Sequence, residues 1–343
     1  MEKLLKAVLV GCGSISHAWL NAAKAEANLE IVGLVDINID AAHKLAEAFE
    51  LVEVEIGTEL QKILQSNKPD IVFDCTVPEA HVSVTLAALA HGCHVLGEKP
   101  LADSMENARK MVEAAAKAGK LYAVMQNRRY ARQIKGLATF LRSGAIGNIT
   151  TVNCDFYIGA HFGGFRDEMA HVLLLDMAIH TLDAARLISG ADPVSVFCKE
   201  WNPRGSWYAH GASAIALFEM TRDIVFTYRG SWCAEGINTT WESDWRIIGD
   251  KGSVIWDGGD HFKAQTPVED SGFIRKCDDL EIPVWTENEM PKTGHAGALR
   301  EFLECVRTGR TPETVASDNI KSLAMVFGAI ESADAGKRVE ILG

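Results

Sequence analysis

The sequence predicts an α/β protein: a doubly wound parallel sheet followed by a second, α+β domain with a largely antiparallel open sheet. Three observations predict this class. Short apolar runs alternate with helix-period segments in the first third of the chain, longer half-alternating runs follow, and 343 residues exceed the size at which one hydrophobic core keeps growing. We therefore expect a first domain at residues 1–125 and a second at residues 126–343.

The first domain contains five apolar runs without polar alternation, as is typical of parallel strands covered on both faces. These runs are KAVLV, IVGLVD, IVFDCT, HVLGE and LYAVM. Helix-period segments separate them at residues 15–26, 39–48, 59–65, 79–91 and 104–118. Strand, helix and strand repeated with short links predict a doubly wound sheet.

The second domain opens with a predicted helix over residues 131–144. Its predicted strands are residues 149–157, 194–201, 212–220, 224–232, 244–249 and 252–256. Its other predicted helices are residues 167–189, 296–307 and 317–335. Half-alternating strands of this kind predict an antiparallel sheet with one buried face.

The composition excludes several partners. Lys and Arg number 34 against 46 Asp and Glu, a net charge of −12 without a long basic cluster, so nucleic acid is not expected as a partner. No apolar run approaches the ~20 residues that cross a bilayer, so no membrane is expected either. The eight cysteines are scattered without a C-x-x-C pair. They predict reduced thiols and a cytoplasmic protein.

The opening KAVLVGCGSISHAWL resembles both a short export signal with a lipid-modified cysteine and a nucleotide-binding turn. The apolar stretch is short for a signal and is interrupted by Lys6, and an amphipathic helix follows Cys12. We therefore expect a buried strand that ends in a G-x-G turn, with Ser16 at the position where a dinucleotide fingerprint has a third small residue.

Gly11 and Gly13 follow the first predicted strand and precede a predicted helix. In that context a G-x-G motif indicates a nucleotide-binding turn. The first glycine permits the turn, the second lets a pyrophosphate approach the main chain, and N–H groups near Ser14 and Ile15 bind the phosphates. Asp36 lies about 20 residues beyond the turn, where an acid accepts hydrogen bonds from ribose. The absence of a following arginine favours NAD over NADP. The alternative is a plain turn, with Asp36 capping the next helix.

Further polar residues follow two later strands. Thr76, Pro78 and His81 come after one, and Glu98-Lys99-Pro100 after another, at the edge where open α/β sheets bind ligands. Lys99 can direct its ammonium at a developing alkoxide, and the Lys99-Pro100 bond is a candidate cis peptide. The alternative is an ordinary turn with a solvated lysine.

His91, Cys93 and His94 are close in sequence, but no second cluster completes a ligand set, so no metal is expected.

Asp176, His180 and Asp183 are spaced i, i+4 and i+7 in the predicted helix 167–189, so they share one face. On that face the carboxylates can orient and polarise the imidazole. The alternative is a buried, satisfied polar network. Three ionisable groups on one stripe favour catalysis, because burying them without function costs stability.

These motifs together resemble the glucose–fructose oxidoreductase/inositol dehydrogenase/rhizopine catabolism (Gfo/Idh/MocA) family in order and spacing, and QNRRY at residues 126–130 belongs to the same pattern. The resemblance implies a Rossmann domain, a C-terminal domain whose open sheet forms a dimer or tetramer, and NAD(P)-dependent oxidation or reduction of sugars and polyols. It implies that Lys99 is the catalytic lysine, that His180 is the general acid/base and that Asp176 positions His180 and the substrate. Asn127, in the same motif, is expected to bind the cofactor.

Tyr157, His161, Arg166, Trp232 and Trp241 are candidates for a sugar pocket, because aromatic faces and hydrogen-bond donors suit polyols; plain packing is the alternative. Tryptophan-rich segments resemble the apiose dehydrogenases of the family. The expected reaction is NAD-dependent oxidation of an aldose at its anomeric hydroxyl to a lactone. The alternatives are an inositol or other polyol dehydrogenase, a keto-sugar reductase, or a non-catalytic NAD-binding, sugar-sensing regulator on the same fold.

Overall fold

A computed structural model describes residues 3–341 of the protein. Within them the chain forms two compact units: residues 3–130 with 291–323, and residues 131–290 with 324–341. This differs from the predicted division at 125/126, because residues 291–323 return to the first unit. The third break between the units, at 323/324, falls inside a helix, where sequence patterns give no boundary signal.

The first unit is a doubly wound sheet, as predicted. In chain order its elements are β1 (Leu5–Val10), α1 (Ser16–Lys24), β2 (Leu29–Val35), α2 (Ile39–Ala48), β3 (Glu55–Gly57), α3 (Leu60–Asn67), β4 (Ile71–Asp74), α4 (Pro78–Ala90), β5 (His94–Gly97), α5 (Met105–Ala118) and β6 (Tyr122–Val124). The six strands are parallel, in the order β3-β2-β1-β4-β5-β6. Strand order therefore reverses next to β1, the position where such sheets bind ligands.

The central strands β1, β4 and β5 are buried along most of their length, which explains their lack of polar alternation. All four residues of β4 are buried, and Leu9 and Phe73 are fully inaccessible. Trp19 of α1 packs on Phe73 with ring centroids 5.5 Å apart. Burial on both faces thus fixes how α1 lies on the sheet.

The returning segment of the first unit contains α9 (Gly294–Thr308). Lys292 donates to Glu26 at 2.6 Å, and Arg307 donates to the carbonyl of Asn28 at 3.0 Å. Tyr130, in a 3-10 turn after β6, donates to Glu301 at 3.2 Å. These polar contacts attach a segment late in the sequence to the first helix and the last strand of the sheet.

The second unit contains a nine-stranded, largely antiparallel sheet, again as predicted. Its elements are α6 (Arg132–Arg142), β7 (Ile149–Tyr157), α7 (Phe165–Glu168), α8 (Ile179–Ser189), β8 (Pro193–Trp201), β9 (Ser213–Met220), β10 (Ile224–Ser231), β11 (Asp244–Gly249), β12 (Ser253–Trp256), β13 (Phe262–Pro267), β14 (Cys277–Leu280) and β15 (Val339–Glu340). The strand order is β14-β13-β12-β11-β7-β10-β9-β8-β15, and only the β7–β10 pair is parallel within the described residues. α10 (Ala316–Ala335) contains the break between the units.

The prediction of one continuous helix over residues 167–189 is wrong. In place of a continuous helix over 167–189 the chain forms the short α7, an extended Met169, a π-helical turn over Leu173–Ala178 and then α8. His171 adopts a φ of +54°, which no right-handed helix can include. The predictions also missed β3, β13, β14 and β15, which are short or exposed and therefore lack a clear apolar pattern.

The composition led to expectations about membrane-spanning helices and about the cysteines. None of the helices in residues 3–341 is long and apolar enough to span a bilayer. All the cysteines except Cys233 and Cys277 are buried, as expected of small hydrophobic side chains.

Gly33 in β2 provides a test of core packing. A Cβ there would lie 2.6 Å from Ile63 Cγ2 and 3.1 Å from Val8 Cγ2, both buried. We expect Gly33→Ala to lower the free energy of unfolding by about 1–3 kcal/mol through overpacking. The control Gly57→Ala approaches only the far end of Ile63, at 3.2 Å from Cδ1, and should cost less. Urea unfolding measures both, and equal costs would contradict the prediction.

Candidate functional site

The turn after β1 contains two glycines in different surroundings. Gly11 has a φ of +90°, and a Cβ there would lie 2.7 Å from the carbonyl carbon and oxygen of Cys75. Gly13 has nothing within 4 Å of the position that its Cβ would take. The neighbouring main chain therefore requires the first glycine, whereas the second borders open space that a pyrophosphate can enter.

Helix α1 begins directly after this turn, and no side chain caps its start. Ser14 and Ile15 are exposed there, so main-chain N–H groups at this end suit an anion. Ser16 is fully buried, and its hydroxyl donates to the carbonyl of Gly13 at 2.5 Å. Its small side chain thus fits under the helix and fixes the turn.

An acid follows β2, as expected for ribose binding. The carboxylate of Asp36 accepts the N–H of Cys12 at 2.7 Å and that of Asn38 at 2.7 Å. The alternative role as a helix cap belongs to Asn38, which accepts from Asp40 at the start of α2. Asp36 is therefore fixed beside the glycine turn, and each of its oxygens retains a lone pair for a ribose hydroxyl.

A second acid, Asp74, ends β4 and was not predicted to have a role. It accepts from the N–H of Thr76 at 3.1 Å and the Thr76 hydroxyl at 2.5 Å, and Nδ1 of His81 lies 3.0 Å from its Oδ2. Asp74 and His81 are each 1% exposed. His81 thus lies beneath Thr76, and Pro78 begins α4 beside them. The one sequence feature that could have indicated a role for Asp74 is its position as an acid at the end of an otherwise apolar strand.

A third acid, Glu98, follows β5. It accepts from the indole N–H of Trp19 at 2.7 Å and from the N–H of Lys99 at 3.0 Å. Burial acts to raise the pKa of Glu98, but the nearby imidazole of His295, the hydrogen bond from Trp19 and the charge of Lys99 outweigh it and hold that pKa below its usual value. The Lys99-Pro100 bond is cis, so that prediction is confirmed.

His295, at the start of α9, is a residue that sequence reasoning missed. Its Nε2 lies 3.8 Å from Glu98, and its Nδ1 lies 3.4 Å from the side-chain amide of Asn127. It therefore links two predicted cofactor-binding positions within the first unit. No sequence signal points to it, because 168 residues separate it from Asn127.

The second unit contains the remaining predicted residues. Arg166 of α7 donates from Nε to Asp176 at 2.6 Å, and its guanidinium lies 5.0 Å from the ring centre of Phe162 and 4.7 Å from that of Phe165. Asp176 belongs to the π-helical turn, and buried His180 follows in α8. The geometry thus gives a buried imidazole and, on the preceding turn, a carboxylate paired with a cation stacked on aromatic rings.

Aromatic residues surround this pair, and the other predicted positions lie among them. Phe162 contacts the rings of Trp232 and Trp241, with centroids 5.8 Å and 6.3 Å apart. Tyr157, at the end of β7, is half-buried, and burial raises its pKa. His161 lies elsewhere on this surface: it stacks on Trp207 at 3.7 Å and contacts Glu235 at 3.0 Å. Asp183 is buried in α8.

No three His, Cys, Asp or Glu side chains within residues 3–341 are grouped as metal ligands. His94 and Cys93 have other partners. His94 accepts the N–H of Leu121 at 3.0 Å, and Cys93 donates to the carbonyl of Pro69 at 3.3 Å.

Two family models match the chain. Residues 5–126 match the oxidoreductase family with an NAD-binding Rossmann fold, and residues 134–255 match the GFO/IDH/MocA C-terminal domain. The chain belongs to the Gfo/Idh/MocA family. It is therefore an NAD-binding oxidoreductase of the sugar and polyol dehydrogenase type, and its first unit is the Rossmann domain.

Two relatives and one solved structure illustrate the range of this family. The 1,5-anhydro-D-fructose reductase of Ensifer adhaerens is 24% identical over 341 residues, covering 97% of each chain. The D-apiose dehydrogenase of Paraburkholderia graminis is 24% identical over 345 residues, covering 99% of this chain and 90% of that protein. An Agrobacterium radiobacter oxidoreductase crystallised with NAD+, L-tartaric acid and magnesium has the same fold, with a TM-score of 0.87 at 21% identity over 99% of each chain.

Substitution of the second glycine separates cofactor binding from folding. Gly13→Ala adds a methyl group where the protein has open space, so we expect an unchanged melting temperature and at least about tenfold weaker NAD binding. Gly11→Ala, by contrast, should lower both stability and affinity, because its Cβ meets the main chain of Cys75. Calorimetric titration with NAD and thermal unfolding distinguish the two. Wild-type affinity in Gly13→Ala would exclude a pyrophosphate at this turn.

Proposed function

We propose that this member of the Gfo/Idh/MocA family oxidises the anomeric hydroxyl of an aldose, such as a branched pentose, to a lactone. The observation that carries the proposal is the Arg166–Asp176 pair, held among aromatic rings on the segment that leads to His180. Hydrogen-bonding groups set in an apolar aromatic surface suit a sugar, which has hydroxyl edges and apolar faces. Similarity to a D-apiose dehydrogenase supports a pentose.

In this proposal each residue has one task. When bound, NAD would supply the acceptor for the hydride that leaves the oxidised carbon. His180 takes the hydroxyl proton as general base, and the Lys99 ammonium stabilises the developing alkoxide. Asp176, fixed by Arg166, positions the substrate and His180. Glu98 holds the main chain of Lys99 through its N–H, so the lysine stem starts from a fixed turn.

The residues of the Rossmann unit fit NAD. The open space at Gly13 suits the pyrophosphate, and Asp36 suits the ribose hydroxyls of NAD more than the phosphate of NADP, because two negative groups would repel. Ser14, Ile15, Thr76 and Asn127 complete the proposed set, with Pro78, His81 and Glu98 supporting them. Each lies at the sheet edge where the strands end.

A second candidate is reduction of a keto sugar, favoured by similarity to an anhydrofructose reductase over nearly the whole chain. In that direction His180 donates the proton and Lys99 polarises the carbonyl. An inositol or polyol dehydrogenase would use the same residues. A non-catalytic sugar-sensing regulator on this fold would need NAD and sugar binding but neither Lys99 nor His180 chemistry.

A panel of aldoses, polyols and keto sugars tests these alternatives. We expect NAD reduction with an aldose, and we expect Lys99→Ala and His180→Ala to lower kcat at least about 100-fold while NAD still binds, because each removes a group used only in the chemical step. Lys110→Ala in α5 and His91→Ala just after α4 are matched controls at exposed positions. Consumption of NADH with keto sugars alone would favour the reductase. Sugar binding without turnover would favour the regulator.

We also propose a homodimer or homotetramer formed through the open face of the nine-stranded sheet, in the cytoplasm. Leu217, Thr227, Asn153, Arg246 and Ile255 are successive register partners across five strands, and they lie on its outward face. Phe197 pairs with Leu217 at one end, and both are about half exposed. Exposed apolar side chains at both ends of this row, with polar ones between them, suit a second copy.

Leu217→Asp tests this assembly. Placing a charge in the middle of the apolar end of the face should convert the oligomer to a monomer, because a buried unpaired carboxylate is costly. Light scattering after size exclusion measures the mass, and circular dichroism checks the fold. Val52→Asp, in the first unit, is a control that adds the same charge at a position that is already 92% exposed. A monomeric wild type would contradict the proposal.

A further inference from the structure

His171 begins the segment that carries Asp176 and His180, and its main chain is unusual. Its φ of +54° lies in the left-handed region, which residues other than glycine seldom adopt. Its carbonyl accepts the N–H of Leu175 at 2.9 Å, the bond that starts the helical segment. The position of His171 therefore determines where that segment starts and how the following turns are placed.

The imidazole of His171 pairs with a carboxylate of the sheet, and the pair is partly buried. Nδ1 of His171 lies 2.5 Å from Oε2 of Glu200 in β8, and the side chain of Glu200 is only 9% exposed. The other carboxylate oxygen, Oε1, is buried and has no hydrogen-bond partner within residues 3–341. Because burying a carboxylate is costly without a partner, Glu200 depends on a cationic His171.

Gly211 leaves the room that this pair occupies. A Cβ at Gly211 would lie 2.6 Å from Cγ and 2.7 Å from Cδ of Glu200. A side chain at 211 would therefore push the carboxylate away from the imidazole. A glycine at 211 and a left-handed main chain at His171 are each unfavourable in isolation. Both allow the short contact between His171 and Glu200 at the start of the helical segment.

The charges around His171 favour its protonated form. The hydrogen bond that His171 donates to Glu200 raises the pKa of His171 above its ordinary value. Partial burial opposes this increase, and the negative charges of Glu200 and of Asp334 in α10 add to it. The pair thus has a carboxylate from the sheet and a second acid from the last helix facing one imidazole.

We propose that His171 is a positioning residue, whose ion pair with Glu200 fixes the start of the helical segment and thereby places Asp176 and His180. The proposal rests on the function assigned above to those two residues. Folding raises the pKa of His171 above the unfolded value of ~6.5, so the pair stabilises the protein fully below that pH. The stabilisation is lost as the pH rises through the folded pKa, and placement of the segment should loosen over the same range.

Two variants test the proposal. Glu200→Gln keeps the shape and removes the charge, and His171→Gly removes the imidazole while tolerating the left-handed φ. The imidazole ¹⁵N spectrum, assigned by the signal that His171→Gly lacks, should show a lower titration midpoint for His171 in Glu200→Gln. Both variants should lower kcat about tenfold at neutral pH, or ~1.4 kcal/mol, with unchanged NAD affinity. The high-pH decline of kcat should move to lower pH in Glu200→Gln.

Glu106→Gln is the matched control, because Glu106 is 76% exposed and pairs with Lys110 in α5. It should behave as wild type. An unchanged His171 titration midpoint in Glu200→Gln overturns the proposal. A lowered midpoint in that variant also overturns it if kcat and its pH profile are as in wild type in both Glu200→Gln and His171→Gly. If wild type turns over no sugar, the proposed function fails separately, and amide exchange of residues 172–180 then decides. At least about tenfold faster exchange in both variants supports the positioning role, and unchanged exchange overturns it.

Discussion

The first unit depends on one close approach, that of Gly11 to the main chain of Cys75 and Thr76. Any side chain at 11 would force the ends of β1 and β4 apart. Because these are the central strands of the sheet, their separation sets where the glycine turn, Asp36 and Thr76 lie. A single missing Cβ thus determines the spacing of the polar groups at the cofactor edge.

Three acids fix that edge by the same device. Asp36, Asp74 and Glu98 stand at or just after the ends of β2, β4 and β5, and each accepts a main-chain N–H of a turn at this edge. Their oxygens also accept from side chains, such as the indole of Trp19. Each of these acids ties a loop to the end of a strand, and Asp36, the least buried of the three, also keeps lone pairs for a further partner.

The sequence could predict what local patterns determine. Apolar runs predicted five of the six strands of the parallel sheet, because double burial removes polar alternation, and G-x-G with Asp36 predicted a nucleotide-binding edge. It could not predict the role of His295, which reaches Glu98 and Asn127 only through the return of residues 291–323. The break at His171 was also hidden, because apolar periodicity continues across residues 172–189 and no glycine or proline marks the left-handed residue. Ser16 looked like a departure, yet its hydroxyl bonds Gly13 in a site where only a small side chain fits.

Because the first unit is built from two separate stretches of chain, it cannot be grafted onto another enzyme as one continuous segment. A fragment ending near residue 130 keeps every strand of the sheet but leaves out α9, the residue that joins Glu98 to Asn127, and the lysine that pairs with Glu26. A grafted module would need residues up to 130 and residues 291–323, with a linker in place of the 160 residues (131–290) of the second unit that separate them in sequence. Exchange of modules between such enzymes therefore has to conserve three junctions, at 130/131, 290/291 and 323/324.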